Sequence, residues 1–195
     1  MRKKHKQRRI KIDPEKRHMA DSIIYKKLKS HPCITGNRNI MLYVSVNGEV
    51  DTSRIIDCLL SAGKRVYLPV ISETDLLPVE IDTGTQLHPG RFGIPEPDPE
   101  KRLFADPELL DVVIIPGVSF TKKGTRLGRG GGYYDRFIDK LRAGTHLIGL
   151  CYNCQLENHI PNGLNDKHVH EVITEEGMNR SNISVSGPKK QKGGK

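Results

Sequence analysis

Helical periodicities and short apolar runs alternate along most of the chain. The triplet Asp13-Pro14-Glu15 predicts a helix start, because Asp is an N-cap acceptor and Pro and Glu suit the first turn. This helix is predicted to run to about Leu28 and to end before His31-Pro32. A second helix is predicted from Asp51-Thr52 through Leu60, with Gly63 stopping it. A third follows a glycine cluster, where Tyr134, Phe137, Ile138 and Leu141 fall at i, i+3, i+4 and i+7.

Apolar runs between these helices predict the strands. The predicted strands are Ile40–Val46, 65–71, 76–81, Asp111–Ile115, a run from His146 to Tyr152, and 169–174. The continuous apolar run at 111–115 is typical of a strand buried on both faces. Strands that alternate with helices indicate an α/β domain with a mainly parallel sheet.

The length and the composition of the end of the chain suggest one domain and a tail. With 195 residues, one domain is expected, which we place at residues 1–178. Residues 179–195 are rich in Ser, Asn, Gly and Lys and lack the apolar area needed for order. We therefore expect them to form a disordered basic tail.

The formal charge of +9 lies at the two ends of the chain. Residues 1–17 hold nine Lys or Arg against two acids, and the last ten hold four Lys and no acid, so the part between is close to neutral. A nucleic-acid-binding protein needs a basic face together with a recognition module, so nucleic acid is disfavoured as the main partner.

No apolar run approaches the ~18 residues of a membrane span, and the basic N-terminus lacks the apolar segment of a secretion signal. We expect a cytoplasmic protein with no membrane partner, and a monomer.

The most informative stretch runs from Thr125 to Arg136 and reads TRLGRGGGYYDR. Glycines let backbone N–H groups approach a ligand, and arginine is a permanently charged donor suited to phosphate or carboxylate. A glycine loop that leads into a helix is therefore a candidate anion site, and Asp135 in the first turn can hold a cation. The loop fits neither the G-x-G-x-x-G fingerprint, since Tyr133 stands at the third glycine position, nor the Walker pattern. A plain glycine-rich turn is the competing interpretation.

The pair Cys151 and Cys154 forms a C-x-x-C motif, which suggests either a redox pair or half of a zinc site. The sequence contains no second half of a zinc site. A redox pair should open a helix, whereas a buried strand is predicted to lead into this one. We therefore interpret both as ordinary reduced cysteines.

Taken together, four sequence blocks resemble the 5-formyltetrahydrofolate cyclo-ligase family, also called 5,10-methenyltetrahydrofolate synthetases. The resemblance spans roughly residues 2–176. The blocks are Gly48–Thr52 with Gly63–Pro69 downstream, Phe92–Pro97, Val113–Phe120 leading into Arg126–Arg136, and a weaker piece from Ile160-Pro161 to Asn165-Asp166.

The resemblance implies both a fold and a reaction. The implied fold is a three-layer α/β/α domain of the NagB/RpiA/CoA-transferase-like type. The implied reaction is the ATP-dependent ring closure of 5-formyltetrahydrofolate to 5,10-methenyltetrahydrofolate, with release of ADP and phosphate through a phosphorylated N5-iminium intermediate. Mg²⁺ accompanies ATP.

The resemblance also implies roles for individual residues. Arg129 and Tyr133 are the expected catalytic residues, and Asp135 and Asp166 the expected Mg²⁺ carboxylates. The expected ATP-binding residues are Arg2, Lys3, Lys6, Arg126, Leu127, Gly128, Arg129, Gly130, Gly131, Gly132, Tyr133 and Tyr134. The expected folate-binding residues are Val44, Glu49, Arg129, Gly130, Gly131, Gly132 and Tyr133.

The chain departs from the family pattern at both ends. In the family, the N-terminal helix contributes a lysine and, four residues later, an arginine to ATP binding. Arg2 matches the arginine, and no residue of the sequence matches the lysine. Lys3, Lys4 or Lys6 are the possible substitutes. The usual His-Asp-x-Pro-x-Asp block is replaced by the stretch from Asn165 to His170. His168 and His170 suggest a metal pair, but ordinary surface histidines are favoured. These departures leave two alternatives open: a folate- or nucleotide-binding relative with little turnover, and RNA binding through the basic ends.

Overall fold

The computed structural model describes residues 1–98, 100, 102–163 and 166–181. Its helices are α1 (Arg2–Ile10), α2 (Pro14–Lys29), α3 (Pro32–Gly36), α4 (Ser53–Ser61) and α5 (Tyr133–Ile138). Its strands are β1 (Asn39–Met41), β2 (Arg65–Ile71), β3 (Leu76–Ile81), β4 (Leu87–Pro89), β5 (Pro95–Pro97), β6 (Leu103–Phe104), β7 (Val112–Pro116), β8 (Ser119–Thr121), β9 (Arg126–Leu127), β10 (His146–Leu150), β11 (Leu156–Glu157), β12 (Glu171–Ile173) and β13 (Met178–Arg180).

The helices begin where the predicted caps stand. The Asp13 side chain accepts hydrogen bonds from the backbone N–H groups of Glu15 and Lys16, and so caps α2. Asp51 accepts from the Ser53 backbone N–H at the start of α4. Because local capping chemistry fixes these starts, α2 and α4 agree with their predictions to within about two residues, whereas α5 ends at Ile138, three residues before the predicted Leu141.

Eight strands form one sheet in the order β13-β12-β10-β7-β1-β2-β3-β6. The five central strands, from β12 to β2, run parallel, and antiparallel neighbours flank them on both sides. From β1 the chain moves first to β2 and later to β7 on the opposite side. The sheet therefore reverses its direction of growth between β1 and β7, the place where α/β sheets open a crevice for ligands.

Apolar side chains cover both faces of this sheet. On one face, α2, α3 and α4 contribute Ile24, Ile34 and Ile55 to a buried cluster. On the other face, Phe137 and Ile138 of α5 pack with Phe120. The result is three layers, helix, sheet and helix, so the predicted α/β class with a mainly parallel sheet is confirmed.

The first predicted strand is shorter than expected. Ile40–Val46 was expected to be extended throughout, but β1 ends at Met41. After Met41 only the backbone bond from Leu42 N–H to the Tyr67 carbonyl continues the ladder. The chain then leaves the sheet, and Tyr43 and Val44 line the crevice.

The end of the described chain adds a strand that the sequence did not suggest. β13 pairs antiparallel with β12, which places Asn179 and Arg180, the first residues of the expected tail, at the edge of the sheet. Residues 182–195 of that expected tail lie outside the described part of the chain.

Candidate active site

A cavity of about 540 Å³ opens at the carboxyl ends of β1 and β7. Tyr43 and Val44, which follow β1, line one side, and Pro116 and Gly117 at the end of β7 line another. The glycine loop from Arg126 to Gly132 forms a third wall. The cavity thus lies where the topology of the sheet opens, and it gathers residues from distant parts of the chain.

A small second sheet holds the glycine loop. β9 pairs antiparallel with β8, whose other edge pairs with β11. Gly130 and Gly132 have φ values of +107° and +67°, conformations that residues with a Cβ atom avoid. Gly132 leads directly into α5. Positive φ at two loop positions explains why glycines recur here, so the loop has a defined shape and is not a plain turn.

Arg126 is a buried cation at the base of the loop. Its side chain is 5% exposed, and its Nη2 lies 2.6 Å from Asp135 Oδ1. The same carboxylate oxygen accepts a bond from the Lys167 backbone N–H at 3.2 Å. Asp135 therefore joins the glycine loop to the segment that carries Asp166.

Glu49 occupies the opposite wall and is almost fully buried. The turn before it needs left-handed backbone at Asn47, φ +53°, and at Gly48, φ +73°. The Glu49 carboxylate lies 2.6 Å from Arg129 Nη2 and 3.7 Å from Arg9 Nη1. Two guanidinium groups thus lie within 4 Å of one carboxylate oxygen, Oε1, at this wall of the cavity.

Two tyrosines near Glu49 stay protonated. Burial, and after it the charge of Glu49, raises the pKa of the Tyr43 and Tyr134 hydroxyls. The Tyr43 hydroxyl donates to the Val50 carbonyl at 3.1 Å. Both hydroxyls remain neutral at physiological pH and contribute no charge to the cavity.

The N-terminal helix reaches the cavity through one residue. Arg2 lines it, and Arg2 Nε donates to the Gly128 carbonyl at 2.9 Å. Lys3 and Lys6 lie on exposed positions of α1 and are not among the residues that line this cavity. The geometry brings Arg2 to the glycine loop and leaves the two lysines outside.

The other expected residues converge on the same cavity. Arg126, Leu127, Gly128, Arg129, Gly130, Gly131, Gly132, Tyr133, Tyr134, Asp135, Asp166, Val44 and Glu49 all line it. One oxygen of Asp166 accepts a hydrogen bond from the Gly163 backbone N–H at 2.7 Å. Apart from Lys3 and Lys6, every site residue expected from the sequence therefore lies at one cavity.

Sequence reasoning missed two site residues. Phe92 is 65% exposed, has a φ of +59°, and places its ring 6.3 Å from that of Tyr133, edge to face. Arg9, from α1, is buried beside Glu49. The resemblance of the Phe92–Pro97 block to the family could have indicated Phe92. The run of basic residues in α1 gave no indication that one of them, Arg9, is buried.

The two histidines of the altered C-terminal block do not form a metal pair. His168 lies 3.3 Å from the Asn162 amide, while His170 stacks on His146 with ring centroids 5.0 Å apart. His170 Nδ1 also accepts from the Leu147 backbone N–H. Within the described ranges, no group of three or more His, Cys, Asp or Glu residues is arranged to hold a metal ion.

The cysteines support the interpretation made from the sequence. Cys151 is buried, Cys154 is exposed, and both are free. Desolvation by the surrounding protein, and after it the charge of Glu175, raises the pKa of both thiols, which disfavours the reactive thiolate.

No helix in the described part of the chain combines the length and the apolar character that a membrane crossing requires.

Comparison with known proteins agrees with the resemblance read from the sequence. The sequence pattern of the 5-formyltetrahydrofolate cyclo-ligase family matches residues 1–175. The 5-formyltetrahydrofolate cyclo-ligase of Escherichia coli K12 is 34% identical over 160 residues, which is 80% of this chain and 88% of that protein. The enzyme of the same name from Haemophilus influenzae is 37% identical over 140 residues, 70% of this chain and 75% of that protein.

A solved structure extends the agreement to the fold. The NMR structure of the Aquifex aeolicus 5,10-methenyltetrahydrofolate synthetase matches with a TM-score of 0.82 at 29% identity, and the match covers 98% of this chain and 96% of that one. The chain therefore belongs to the 5-formyltetrahydrofolate cyclo-ligase family, a family of folate ligases.

Proposed function

We propose that the chain catalyses the ATP-dependent cyclisation of 5-formyltetrahydrofolate to 5,10-methenyltetrahydrofolate, with release of ADP and phosphate. The observation that carries this proposal is the 2.6 Å ion pair between Glu49 and Arg129. It joins the acid expected to hold the pterin to the arginine expected to hold the phosphates. Two substrates bound to these residues would therefore meet at one point.

The glycine loop and its arginines form the phosphate end. Backbone N–H groups from Gly128 to Gly132, with Arg2, Arg126 and Arg129, supply donors and positive charge to a triphosphate. Phosphoryl transfer depends mostly on positioning and on charge neutralisation, and this wall offers both.

Asp135 and Asp166 fit a Mg²⁺ ion that is held largely by phosphate. Both are hard oxygen donors on the same cavity, and each already uses one oxygen to accept a hydrogen bond from the protein. Two carboxylates that leave most of the coordination sphere to phosphates and water suit Mg²⁺. When bound, the ion would neutralise charge on the triphosphate.

The folate end lies on the opposite wall. The buried Glu49 carboxylate accepts hydrogen bonds, which suits the donor-rich edge of a pterin, and Val44 lies beside it. Phe92 and Tyr133 offer aromatic surfaces for the flat parts of the substrate. The Glu49 carboxylate already accepts a hydrogen bond from one guanidinium nitrogen of Arg129, and in this proposal a pterin amine would donate to it in the same way.

The proposed reaction has two steps. The formyl oxygen attacks the γ-phosphorus of ATP; the new O–P bond forms as the bond to the ADP oxygen breaks, which gives the N5-iminium phosphate. The N10 lone pair then attacks the formyl carbon, N10 loses its proton to solvent, and the C–O bond breaks to release phosphate. In this scheme Arg129 and Tyr133, which line the cavity, would contact the transferring phosphoryl group, and Arg129 would stabilise the charge that develops in the first step.

The full-length protein with ATP, Mg²⁺ and 5-formyltetrahydrofolate should produce the absorbance of the methenyl product. Arg129→Ala should lower turnover about 10²-fold or more, since one charge-stabilising donor is lost. Arg8→Ala is the matched control, since Arg8 is an exposed arginine of α1 that contacts Glu157 outside the cavity. A well-folded protein that binds both ligands and yields no product would contradict the proposal and favour a binding protein with little turnover.

A further inference from the structure

Arg9 is a buried cation on a helix that otherwise exposes its basic residues. Of the α1 side chains, only His5 and Arg9 are buried, and the Arg9 side chain is 3% exposed. Burial lowers the pKa of its guanidinium, and the charge of Glu49 opposes that shift. A buried cation needs a partner, and Glu49 is the acidic group within ion-pair distance of it.

The contacts of Arg9 converge on the turn that presents Glu49. Arg9 Nη2 donates to the Asn47 carbonyl at 2.9 Å, and Nη1 lies 3.7 Å from Glu49 Oε1. Asn47 has the left-handed backbone that this turn requires. Arg9 therefore holds both the backbone before Glu49 and the carboxylate itself.

The two arginines on Glu49 differ in their freedom. The Arg129 side chain is 38% exposed and belongs to the glycine loop, whereas Arg9 is enclosed beside Tyr43 and Tyr152. If Arg129 turns towards phosphate, Glu49 loses its nearest cation and keeps Arg9. Arg9 then remains as the cation that fixes the orientation of the carboxylate.

We propose that Arg9 is a positioning residue for the folate substrate, acting through Glu49. The inference rests on the proposed function, because it takes Glu49 as the acid that binds the pterin. Arg9 is not among the residues that line the cavity. Its effect on folate binding therefore passes through the Glu49 carboxylate.

A double-mutant cycle tests this inference in the full-length protein. Steady-state KM values for folate and for ATP are measured for wild type, Arg9→Met, Glu49→Gln and the double variant, with Arg8→Met as the exposed control on the same helix. Arg9→Met should raise the folate KM roughly tenfold or more, because removing one partner of a buried charge pair leaves the other poorly compensated. The ATP KM of Arg9→Met should differ from that of wild type by less than about twofold. Adding Arg9→Met to Glu49→Gln should likewise change the folate KM by less than about twofold, because the effect of Arg9 passes through the Glu49 carboxylate, which is already absent.

Two conservative variants separate charge from packing. Arg9→Lys keeps the cation and should stay near the wild-type folate KM, while Arg9→Gln keeps a donor for the Asn47 carbonyl but lacks the charge and should behave like Arg9→Met. This pair carries the test if Arg9→Met does not fold, as judged by thermal unfolding. Equal folate KM values for Arg9→Lys and Arg9→Gln would overturn the proposal. So would an Arg9→Met substitution that raises the folate KM by the same factor in wild type and in the Glu49→Gln background.

The same data distinguish a failure of the proposed function. A wild-type protein without turnover, or a Glu49→Gln variant with an unchanged folate KM, would contradict the proposed function or its pterin-binding residue. A raised folate KM in Glu49→Gln, together with an unchanged one in Arg9→Met, would refute only the role of Arg9.

Discussion

The ring of Phe120 lies between two glycines, and this arrangement gives a sharp test of how the buried cluster on the α5 side of the sheet is packed. Phe120 is fully buried. A Cβ atom at Gly149 would lie 2.5 Å from Phe120 Cε1, and one at Gly117 would lie 2.4 Å from Cε2. Both distances are shorter than real Cβ contacts, so the ring or the backbone must move if either residue becomes alanine. We therefore predict that Gly149→Ala destabilises the fold.

The size of the effect follows from overpacking. Forcing a methyl group into a packed core costs about 1–3 kcal/mol. In a domain of this size each kcal/mol lowers the melting temperature by about 2–4 °C, so we expect a decrease of roughly 2–12 °C. Phe120 pairs with Arg126 across β8 and β9, so a displaced ring should also raise the KM for ATP.

Thermal and urea unfolding followed by circular dichroism measure this effect. Gly36→Ala is the control, since nothing lies within 4 Å of its added methyl group. Phe120→Leu combined with Gly149→Ala should destabilise the fold by less than the sum of the two single changes, because the smaller side chain makes room for the methyl group. A Gly149→Ala protein that melts within about 1 °C of wild type would refute the packing argument.

Three further predictions concern pH, a buried hydroxyl and the glycine loop. Burial lowers the pKa of His146 and of His170 below 6.5. Their contribution to stability is therefore full above pH 6.5 and is lost as the pH falls below that value. The melting temperature should drop on acidification, and His170→Asn should make that drop smaller. The hydroxyl of Tyr152 donates to Asp21 at 2.7 Å, so Tyr152→Phe should cost about 1.5–3 kcal/mol in urea unfolding, and a cost near zero would contradict the importance of this bond. Arg126→Lys replaces a planar guanidinium that lies 2.6 Å from the Asp135 carboxylate. Turnover should fall about 10²-fold, and an unchanged turnover rate would exclude a catalytic contribution from the planar guanidinium of Arg126.

The sequence predicted those parts of the fold that local chemistry determines. The strands 65–71 and 76–81 were predicted with the bounds that the structure shows, because strong β-formers lie between turn signals there. The start of α2 followed from Asp13 and Pro14. The cavity residues of the glycine loop were likewise visible, since glycines with positive φ and interspersed arginines leave a recognisable pattern.

Features that depend on distant contacts were not predictable in the same way. Arg9 looks like its exposed neighbours in a basic run, and its burial follows from how α1 docks near Glu49. The end of β1 at Met41 coincides with the end of its pairing with β2 and β7, which lie far away in sequence. His170 looked like a surface residue, yet it stacks on a histidine of the adjacent strand. In each case the decisive partner is remote in sequence, and local propensity carries no information about it.

The polar attachment of α1 has a consequence for ligand affinity. The buried residues of this helix are His5 and Arg9, and Arg2 bonds to a carbonyl 126 positions away. The Arg2 contact is exposed and lies at the start of α1, whereas Arg9 is buried, so the first turn of the helix detaches from the glycine loop at far lower cost than the global unfolding of the domain. Any ligand that needs Arg2 therefore binds with an apparent dissociation constant equal to the intrinsic one divided by the fraction of molecules in which this first turn is docked. Salt, which weakens such contacts, would then tune nucleotide affinity through that population, without changing any residue of the glycine loop.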